Sequence, residues 1–448
     1  MHIRSSDISR GNQHFQRQDF AGAVLSYRRA LQQQPDARIF HNLAVSLSRL
    51  ERWDEARVAY EESLALRPFD ANTRNNLGMV YKELGQLFGA EKILRSLLSD
   101  DPWNIDVATN LAGVLLEQGR PDVGIELLRP IVQRAGRHPL GWDTLGACFL
   151  DGGDLDMALA CFARSHEQQP NNPTPLFHIF APLFERDSNS AVELLQRGLK
   201  QHPDRWDWSW LIQCVEQWDR HKNDDGYDGD IASSPSYTHD SMTVTIPHTP
   251  PHWIDSWNYA LEHRTFNTQL FSTTATTLRY AMELCCVEGL CLEFGTRFGT
   301  SAKILQEGNT RTLFAFDSFE GLPTAWHTVP KGAYSTGGLV PNLGNSIQPI
   351  VGWYSESLPP FLKQYEGPIR LLHIDCDLYS STKDVFDVLH DRLVRGTVII
   401  FDEYWMGPHW REDEWKAWQE CCTTHNIQYE YKAFTLLTQQ AVIQIVQC

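Results

Sequence analysis

The sequence predicts a multidomain protein in which an all-α repeat array precedes an α/β domain with a largely parallel sheet. Small and large apolar residues recur every 33 or 34 residues through the first half of the chain. In the second half, apolar runs of strand length alternate with helix-length stretches. A polar segment rich in glycine and aspartate, 221–241, separates the two patterns and predicts a linker.

Size and composition admit two or three globular domains and exclude some classes of protein. The chain has 448 residues, 42% of them hydrophobic and 11% aromatic, which is enough to build cores. Its 39 Lys and Arg against 56 Asp and Glu give a formal net charge of −17. This argues against a nucleic-acid-binding surface, because neutralising phosphates requires an excess of basic residues.

Hydropathy and cysteine usage indicate a cytoplasmic protein. No apolar run approaches the ~18 residues of a membrane span, and the first residues contain no signal-peptide core. The ten cysteines include no Cys-x-x-Cys pair, and Cys285–Cys286 and Cys421–Cys422 are direct neighbours, a spacing unsuited to an ordinary disulfide. We therefore expect reduced, mostly packed thiols and no membrane span.

Several positions of the repeat recur in phase. A leucine followed by a small residue recurs every 34 residues, at Leu43, Leu77, Leu111 and Leu145. A second small position recurs with a large apolar residue four positions later, and most units close on a proline. Small residues let two helices approach closely, and the proline ends the second helix. The pattern resembles the tetratricopeptide repeat, with about six units over residues 4–205.

One polar position also recurs with the repeat. Asn42, Asn76 and Asn110 each precede the leucine of their unit, so we expect them in a row on the first helices. In the repeat family that the pattern resembles, this face lines the concave groove, where an amide can bind a peptide backbone. Alternatively, these asparagines cap or bridge neighbouring helices. The repeats in either case predict a protein or peptide partner.

The repeat array is predicted to end in a capping helix. After Pro203, the segment RWDWSWLIQCVEQWDR has an amphipathic pattern whose tryptophans would cover the apolar face of the last repeat. We therefore predict an array with its cap over 4–220, a linker over 221–245 and a second domain over 246–448.

The apolar runs of the second half predict a doubly covered sheet. Near-continuous apolar strands that alternate with helices are typical of parallel sheets with helices on both faces. Two later runs lie close together and predict an antiparallel hairpin at one edge. The predicted strands are 290–294, 312–316, 369–374 and 397–401, followed by the hairpin runs 431–437 and 441–446. Ligands of such sheets bind beyond the carboxyl ends of the strands.

The residues after the first two strands indicate an adenosine-containing cofactor. Gly295 and Gly299 permit a tight turn with close ligand approach, and the following helix start offers backbone N–H groups. The second strand ends in Asp317, 22 residues after Gly295, where a carboxylate can accept hydrogen bonds from ribose hydroxyls. Glu293 precedes this loop. The alternative is a plain glycine turn beside a solvated aspartate.

Acidic residues follow two further strands. Asp375 and Asp377 share one face of an extended chain, and Asp402 and Glu403 follow the next strand. Four carboxylates that converge at one sheet edge would repel one another unless a hard cation such as Mg²⁺ neutralised some of them. Alternatively they are helix caps and surface carboxylates, although the hydroxyl residues 380–382 are available to cap the next helix.

Five motifs occur in order along the second half: FDSFEGLP (316–323), Lys331-Gly332, VGWYSESLP (351–359), HIDCDLYSST (373–382) and IIFDEYW (399–405). Together they resemble the macrocin O-methyltransferase family over residues 245–448. That family consists of Rossmann-like class I S-adenosylmethionine-dependent enzymes, which methylate hydroxyls, typically on sugars, with a divalent metal.

The resemblance implies roles for individual residues. Asp375, Asp402 and Glu403 would hold Mg²⁺, and Asp377 would be the general base. The family usually has Asp-Asp where this chain has Asp402-Glu403. The residues expected to bind S-adenosylmethionine are Glu293, Gly295, Gly299, Ser301, Asp317 and Ser318.

The function predicted from these features is an S-adenosylmethionine-dependent, Mg²⁺-assisted O-methyltransferase whose acceptor is a hydroxyl of a sugar or glycan. A second hypothesis gives the enzyme a protein-borne acceptor that the repeat groove delivers. A third is a scaffold that binds cofactor without turnover, against which the intact acidic set argues. His373 is expected to pack or hydrogen-bond within its strand, and loop 328–346 to close over the acceptor.

Overall fold

The computed structural model describes residues 2–220 and 246–448. The predicted linker, 221–245, lies outside the described residues. Contacts divide the chain into two compact units, Met1–Leu145 and Gly146–Cys448. The second unit therefore holds the last repeat helices together with the sheet, whereas the sequence pattern assigns those helices to the array.

The N-terminal part is helical throughout its described residues. Its helices are α1 (His2–Gln16), α2 (Phe20–Gln33), α3 (Ala37–Ser48), α4 (Trp53–Leu66), α5 (Ala71–Glu83), α6 (Leu87–Asp100), α7 (Ile105–Glu117), α8 (Pro121–Ala135), α9 (Pro139–Asp151), α10 (Leu155–Gln168), α11 (Pro173–Arg186), α12 (Ser188–Leu199) and α13 (Trp206–Arg220). Successive helices α1–α12 form the six antiparallel pairs that the period predicts.

Caps and stops explain where these helices begin and end. Asp70, for example, accepts the backbone N–H of Thr73 at 2.8 Å and so caps α5. The predicted closing prolines follow α2, α4, α6, α10 and α12. The fourth unit lacks such a proline, and α8 ends instead at Gly136, whose φ of 72° lies in the left-handed region that glycine adopts without steric cost.

The recurring small positions lie against the recurring large ones. A Cβ added to Gly78 would lie 3.1 Å from Leu94 Cγ, and one added to Gly11 would lie 2.6 Å from the Tyr27 ring. Each of these two glycines on a first helix thus faces the large residue of its own second helix. The repeat period therefore encodes the close packing within a pair.

The C-terminal part is built on one eight-stranded mixed sheet with the order β1-β7-β8-β6-β5-β2-β3-β4. The strands are β1 (Gln269–Phe271), β2 (Leu290–Phe294), β3 (Leu313–Asp317), β4 (Ile347–Val351), β5 (Ile369–Ile374), β6 (Val398–Phe401), β7 (Gln428–Thr435) and β8 (Ala441–Gln447). Only β8 runs antiparallel to its neighbours, β6 and β7. All other described pairs are parallel.

The predicted strands are present, and the sheet differs from the prediction at its two edges. The β7–β8 hairpin is antiparallel as expected, but β1 pairs outside it, so the hairpin does not form the edge. The other edge, β4, contains Pro349, and only its first residue is buried. Proline is tolerated at a sheet edge, and a proline within a run argues against assigning it as a strand from sequence.

Helices cover both faces of the sheet, as near-continuous apolar strands require. They are α14 (Pro251–His263), α15 (Thr274–Leu284), α16 (Thr300–Gln306), α17 (Tyr354–Gln364), α18 (Tyr379–Leu389) and α19 (Glu414–His425). Two separate clusters of buried apolar residues lie on the opposite faces. This scaffold fixes the carboxyl ends of β2, β5 and β6, which are neighbours in the sheet.

The tryptophan-rich helix α13 packs in two directions within the second unit. The Trp208 ring lies against Gly198 of α12. Trp210 lies 4.9 Å from Trp253, and Trp218 lies 5.6 Å from Trp257, between ring centroids, so the same helix also packs on α14. One apolar core thus joins the last repeat to the sheet domain.

A half-buried carboxylate also belongs to this joint. Glu185 of α11 accepts hydrogen bonds from the backbone N–H groups of Ser272 at 2.6 Å and Thr273 at 2.9 Å, and from the Ser272 hydroxyl at 2.9 Å. These groups lie at the start of α15. Burial raises the pKa of Glu185, and the hydrogen bonds oppose that shift.

Candidate active site

Three neighbouring strands end level with one another at the candidate site. The backbone N–H of Asp375 donates to the carbonyl of Phe294 at 2.9 Å, and that of Asp402 donates to the carbonyl of Ile374 at 2.9 Å. Ladder hydrogen bonds therefore continue one residue past β5 and β6. The acidic residues predicted to follow these strands therefore lie together at the carboxyl end of the sheet, which is called the sheet edge below.

The carboxylates form two overlapping groups that share Asp375. In the first group, His373, Asp375 and Asp402 each offer a ligand atom, and these atoms lie within 4.8 Å of one another. In the second group, the same holds for Asp375, Asp377 and Glu403. The geometry does not bring Asp375, Asp402 and Glu403, the predicted metal ligands, into one such group. Groups of this size and composition are suited to a divalent cation.

Burial and mutual repulsion dominate the electrostatics of these groups. Burial, reinforced by Asp402 and Asp377, raises the pKa of Asp375 well above its usual range. Burial, reinforced by the same kind of repulsion from Asp402 and Asp377, also raises the pKa of Glu403. Both side chains are half-buried and keep some accessible surface. A cation bound there would remove this repulsion.

Asp377 lies at the point where the chain turns away from β5. Its φ of 60° is in the left-handed region that non-glycine residues rarely adopt. Burial and repulsion from Asp402 raise its pKa to about 7, and a hydrogen bond with Glu403 opposes the shift. Glu403 Oε2 has no hydrogen-bond partner within the described part of the chain. The two carboxyl groups thus face each other beside the Asp375 group.

The glycine loop after β2 packs against the acidic strand. The φ of Gly295 is 98°, and an added Cβ would lie 1.6 Å from the carbonyl oxygen of Asp375, so only glycine fits. Glu293 is fully buried and accepts hydrogen bonds from Ser301 Oγ at 2.8 Å and Thr296 Oγ1 at 2.9 Å. Gly299, with a φ of 79°, is the residue before α16. The hydrogen bonds of Glu293 therefore connect the two ends of the loop and stabilise its conformation.

Asp317, at the end of β3, organises the opposite side of the loop. It accepts the backbone N–H of Arg297 at 2.6 Å and that of Phe319 at 2.6 Å. Burial raises its pKa, and the two backbone hydrogen bonds lower it. The Ser318 hydroxyl accepts the N–H of Glu320 at 3.1 Å. Asp317 and Ser318 both keep accessible surface beside the glycine loop.

Arg297 and Glu414 belong to the site although the sequence did not single them out. Arg297, between the two loop glycines, interacts electrostatically with Asp375 and Asp377 and lies 5.3 Å from the Tyr334 ring centroid. Glu414 is fully buried at the start of α19, and its charge adds to the repulsion around Asp375. The position of Arg297 within the glycine motif was a usable signal, whereas Glu414 lies outside every motif.

The long irregular segment after β3 lies over the acidic groups. Burial raises the pKa of Tyr334 to about 12, with repulsion from Asp377 and Glu403. His327 lies 2.8 Å from Asp413 and stacks on His409 at 4.0 Å between ring centroids. This loop therefore contacts the segment that follows the Asp402-Glu403 pair. A long ordered loop at such a position is typical of a lid.

The asparagine row of the array makes hydrogen bonds within the array. Asn110 Nδ2 donates to Asn75 Oδ1 at 3.0 Å, which joins two successive first helices. Asn42 and Asn76 hydrogen-bond the hydroxyls of Tyr27 and Tyr60, respectively. All three asparagines are half-buried. These contacts match the bridging alternative, and they leave part of each amide accessible.

Known protein families match segments in both halves of the chain. A family described as a methyltransferase domain matches residues 292–404, which include the glycine loop and all four carboxylates. Families described as tetratricopeptide repeats match residues 37–67 and 82–148. The chain thus contains a methyltransferase domain and tetratricopeptide repeats, with an N-terminal helical superhelix and a C-terminal α/β fold.

Curated relatives match only in part. Protein FlbA of Caulobacter vibrioides is 26% identical over 167 residues, which cover 37% of this chain and 28% of FlbA. Protein NPGR2 of Arabidopsis thaliana is 26% identical over 145 residues, covering 31% and 20%. The BBSome complex member BBS4 of Bos taurus is 22% identical over 151 residues, covering 34% and 29%. The chain spans less than a third of the length of these relatives.

Solved structures show similar partial likeness. The O-methyltransferase NovP is 22% identical with a TM-score of 0.32, over 39% of this chain and 79% of NovP. The MamA protein is 17% identical with a TM-score of 0.34, over 38% of this chain and 93% of MamA.

Within the described ranges, none of the helices combines the length and apolarity needed to cross a bilayer.

Proposed function

We propose that the protein is an S-adenosylmethionine-dependent O-methyltransferase that uses a divalent cation and acts on a hydroxyl of a sugar or glycan. The observation that carries this proposal is the pair of carboxylate groups sharing Asp375, next to the glycine loop of a methyltransferase domain. The five motifs that resemble macrocin O-methyltransferases support the choice of oxygen as the methylated atom.

The glycine loop and the end of β3 fit the methyl donor. Gly295 and Gly299 keep the loop free of side chains, and Asp317 offers carboxylate lone pairs to ribose hydroxyls. When bound, S-adenosylmethionine supplies an electrophilic methyl group. Glu293 and Ser301, predicted as cofactor contacts, support the loop through their mutual hydrogen bond, while Ser318 lies beside Asp317.

The acidic groups fit a divalent cation. Carboxylates whose pKa values rise through burial and through mutual repulsion are stabilised when a cation joins them. Asp375 is the proposed central ligand because it belongs to both groups, one of which contains Asp402 and the other Glu403. When bound, the cation lowers the pKa of a nearby hydroxyl. Mg²⁺ is the ion that the family resemblance implies.

Asp377 is the proposed general base. It belongs to the same group of carboxylates as Asp375 and can accept a proton from an acceptor hydroxyl held there. Arg297 balances part of the negative charge of Asp375 and Asp377. Catalysis would then rest mainly on alignment of the hydroxyl with the methyl group.

The test is methyl transfer from labelled S-adenosylmethionine to candidate sugars by the full chain. We expect turnover with Mg²⁺ and on the order of 100-fold less after chelation, restored when Mg²⁺ is added back. Turnover that is unaffected by chelation would contradict the metal-assisted mechanism. Cofactor binding without turnover on any acceptor would favour the scaffold hypothesis.

A second candidate function has a protein-borne acceptor, and contacts within the second unit favour it. Arg279 of α15 donates to the carbonyl of Gly153 at 3.0 Å, so the turn after α9 lies against the methyltransferase domain. Asp151, which ends α9, interacts electrostatically with Arg297 and Asp402. A repeat residue thus approaches the acidic groups, which would suit an acceptor carried on a peptide.

The two candidates differ in their dependence on the repeats. A triple Asn42→Ala, Asn76→Ala and Asn110→Ala variant should transfer methyl groups to free sugars as the wild type does. If the acceptor is protein-borne, labelling of proteins in a lysate should fall at least several-fold in this variant. Equal labelling of lysate proteins by both would argue against delivery by the asparagine row.

A further inference from the structure

His373 uses only one of its two ring nitrogens in a hydrogen bond within the described residues. Its side chain is fully buried on β5, next to Glu293 of β2 in the sheet. Nδ1 lies 3.1 Å from Glu293 Oε1, whereas Nε2 has no hydrogen-bond partner in residues 2–220 or 246–448. A buried polar nitrogen without a partner costs free energy unless a ligand uses it.

The residues around the ring indicate that this ligand is a cation. A ring nitrogen of His373 lies within 4.8 Å of carboxylate oxygens of Asp375 and Asp402. A neutral ring that donates from Nδ1 to Glu293 presents a lone pair at Nε2, as metal-bound histidines do. With two carboxylates beside it, a bare lone pair is repelled, and a cation between the three is attracted to all of them.

Two further side chains orient this group. Glu293, which also accepts from Ser301, fixes the tautomer and the plane of the His373 ring. Gln440 Nε2 donates to Asp402 Oδ1 and so fixes one oxygen of that carboxylate. Carboxylate–histidine and amide–carboxylate contacts of this kind orient ligands around protein-bound metal ions.

We propose that His373, Asp375 and Asp402 together bind the divalent cation, and that the imidazole ligand makes the site prefer a first-row transition metal over Mg²⁺. The inference rests on the proposed function, whose cation it assigns to one of the two overlapping groups. Imidazole nitrogen favours ions such as Fe²⁺, Ni²⁺ or Zn²⁺, whereas Mg²⁺ prefers sites made of oxygen alone. Mn²⁺ follows Mg²⁺ in its preference for oxygen, and here it serves as the paramagnetic probe of the site.

This assignment also gives Glu403 a role. Glu403 belongs to the other group, where it hydrogen-bonds Asp377. It is then a partner of the proposed base and not a metal ligand. The Asp-Glu sequence in place of Asp-Asp is consistent with this division, because the longer side chain reaches Asp377 from the next strand.

Pulsed electron paramagnetic resonance of the full chain with Mn²⁺ tests the inference directly. We expect coupling of a histidine ¹⁴N to the bound Mn²⁺ in the wild type, and Mn²⁺ bound more tightly than Mg²⁺. His373→Gln should lose the ¹⁴N coupling and bind Mn²⁺ on the order of 100-fold more weakly, and Glu293→Gln about 10-fold more weakly. His425→Ala, which removes an exposed histidine at the end of α19, should match the wild type.

The wild-type spectrum decides the matter even if His373→Gln fails to fold. Bound Mn²⁺ without histidine coupling, in a protein that still transfers methyl groups, would overturn the inference and leave the proposed function standing. If Mn²⁺ does not bind, the inference is wrong, and titration with S-adenosylmethionine then shows separately whether the methyltransferase proposal fails too. Coupling together with weaker Mg²⁺ binding would support the inference.

Discussion

The repeat array and the sheet edge use polar residues in opposite ways. In the array, polar side chains find partners in the chain itself: Asp70 caps α5, and Asn110 joins Asn75 of the preceding repeat. At the sheet edge, carboxylates of the same sign are crowded together, and His373 Nε2 has no hydrogen-bond partner among the described residues. The polar groups of the array stabilise the fold, whereas the polar groups at the sheet edge lower its stability.

That difference indicates where ligand chemistry takes place. Burying like charges or unpaired nitrogens lowers stability, so such an arrangement is retained where a ligand compensates for it. Removing a polar side chain should therefore have opposite effects in the two regions. At the edge it should abolish activity without loss of stability, and in the array it should lower stability without loss of activity.

The largest expected effect is that of Asp377→Asn. Loss of the proposed base should lower methyl transfer on the order of 10³-fold, because general-base catalysis contributes about that much. Removing one of several repelling carboxylates should leave the melting temperature unchanged or higher. Turnover and thermal unfolding of the same preparation measure both effects.

Asp391→Asn provides the matched control for that substitution. Its carboxylate is largely exposed beside His390 and lies away from the acidic groups, so both turnover and melting temperature should match the wild type. An Asp377→Asn variant with nearly normal turnover would remove the assigned role of this residue.

Gly295→Ala should be the most destabilising single substitution at the loop. The new Cβ would lie 1.6 Å from a backbone oxygen that cannot move without displacing the end of β5. We expect a loss of more than about 3 kcal/mol in the free energy of unfolding. Urea denaturation measures this loss.

Comparing Gly308→Ala with Gly295→Ala shows how much of the lost stability comes from steric conflict and how much from backbone strain. Gly308 also has a positive φ, 68°, but no atom lies within 4 Å of its added Cβ. Its substitution should cost only about 1 kcal/mol, the strain of the left-handed conformation. Equal losses for both variants would mean that the loop does not pack on β5 as described.

Glu185→Ala should weaken the joint between the last repeat and the sheet domain. The side chain accepts three hydrogen bonds from residues at the start of α15. Their loss should lower the free energy of unfolding of the second unit by about 2 kcal/mol. Glu185→Gln keeps an acceptor oxygen and should lose less. If both variants unfold like the wild type, these hydrogen bonds do not stabilise the joint.

The smallest effect is expected in the array, for Asp70→Ala. Loss of this cap should lower the free energy of unfolding by about 1 kcal/mol at pH 7 and leave turnover unchanged. Hydrogen bonds from the Thr73 side chain and backbone lower the pKa of Asp70 in the folded state below the usual value of 3.8. Its stabilisation is therefore present above that value and lost as the pH falls through the folded-state pKa.

Denaturation at several pH values checks this expectation. The difference between the wild type and Asp70→Ala should shrink below about pH 4. Asp70→Asn keeps an uncharged cap and should show a smaller loss without that pH dependence. A constant difference down to pH 2 would mean that the carboxylate charge does not contribute to the cap.

Sequence patterns were sufficient for the elements whose neighbours are close in the chain or periodic. The repeat period predicts the helix pairs, and apolar runs predict β2, β3, β5 and β6. Because parallel strands end at one edge, the convergence of Asp375 and Asp402 also follows from their places after β5 and β6. These inferences need only local propensity and the rule for where parallel strands end.

Features that depend on distant partners were not predictable in the same way. The role of His373 depends on Glu293, 80 residues earlier. Glu414 follows no strand and belongs to no motif, yet α19 buries it beside the acidic groups. The short strand β1 has too few apolar residues to give a signal. In each case the decisive neighbour comes from another part of the sequence.

Isothermal titration of the full chain with S-adenosylmethionine tests the central claim most directly. The account predicts one molecule bound per chain, with affinity lowered in Asp317→Ala, because that carboxylate faces the ribose in the proposed site. The absence of any binding heat with folded protein would contradict the account, since every role assigned to the sheet edge depends on a methyl donor bound beside it.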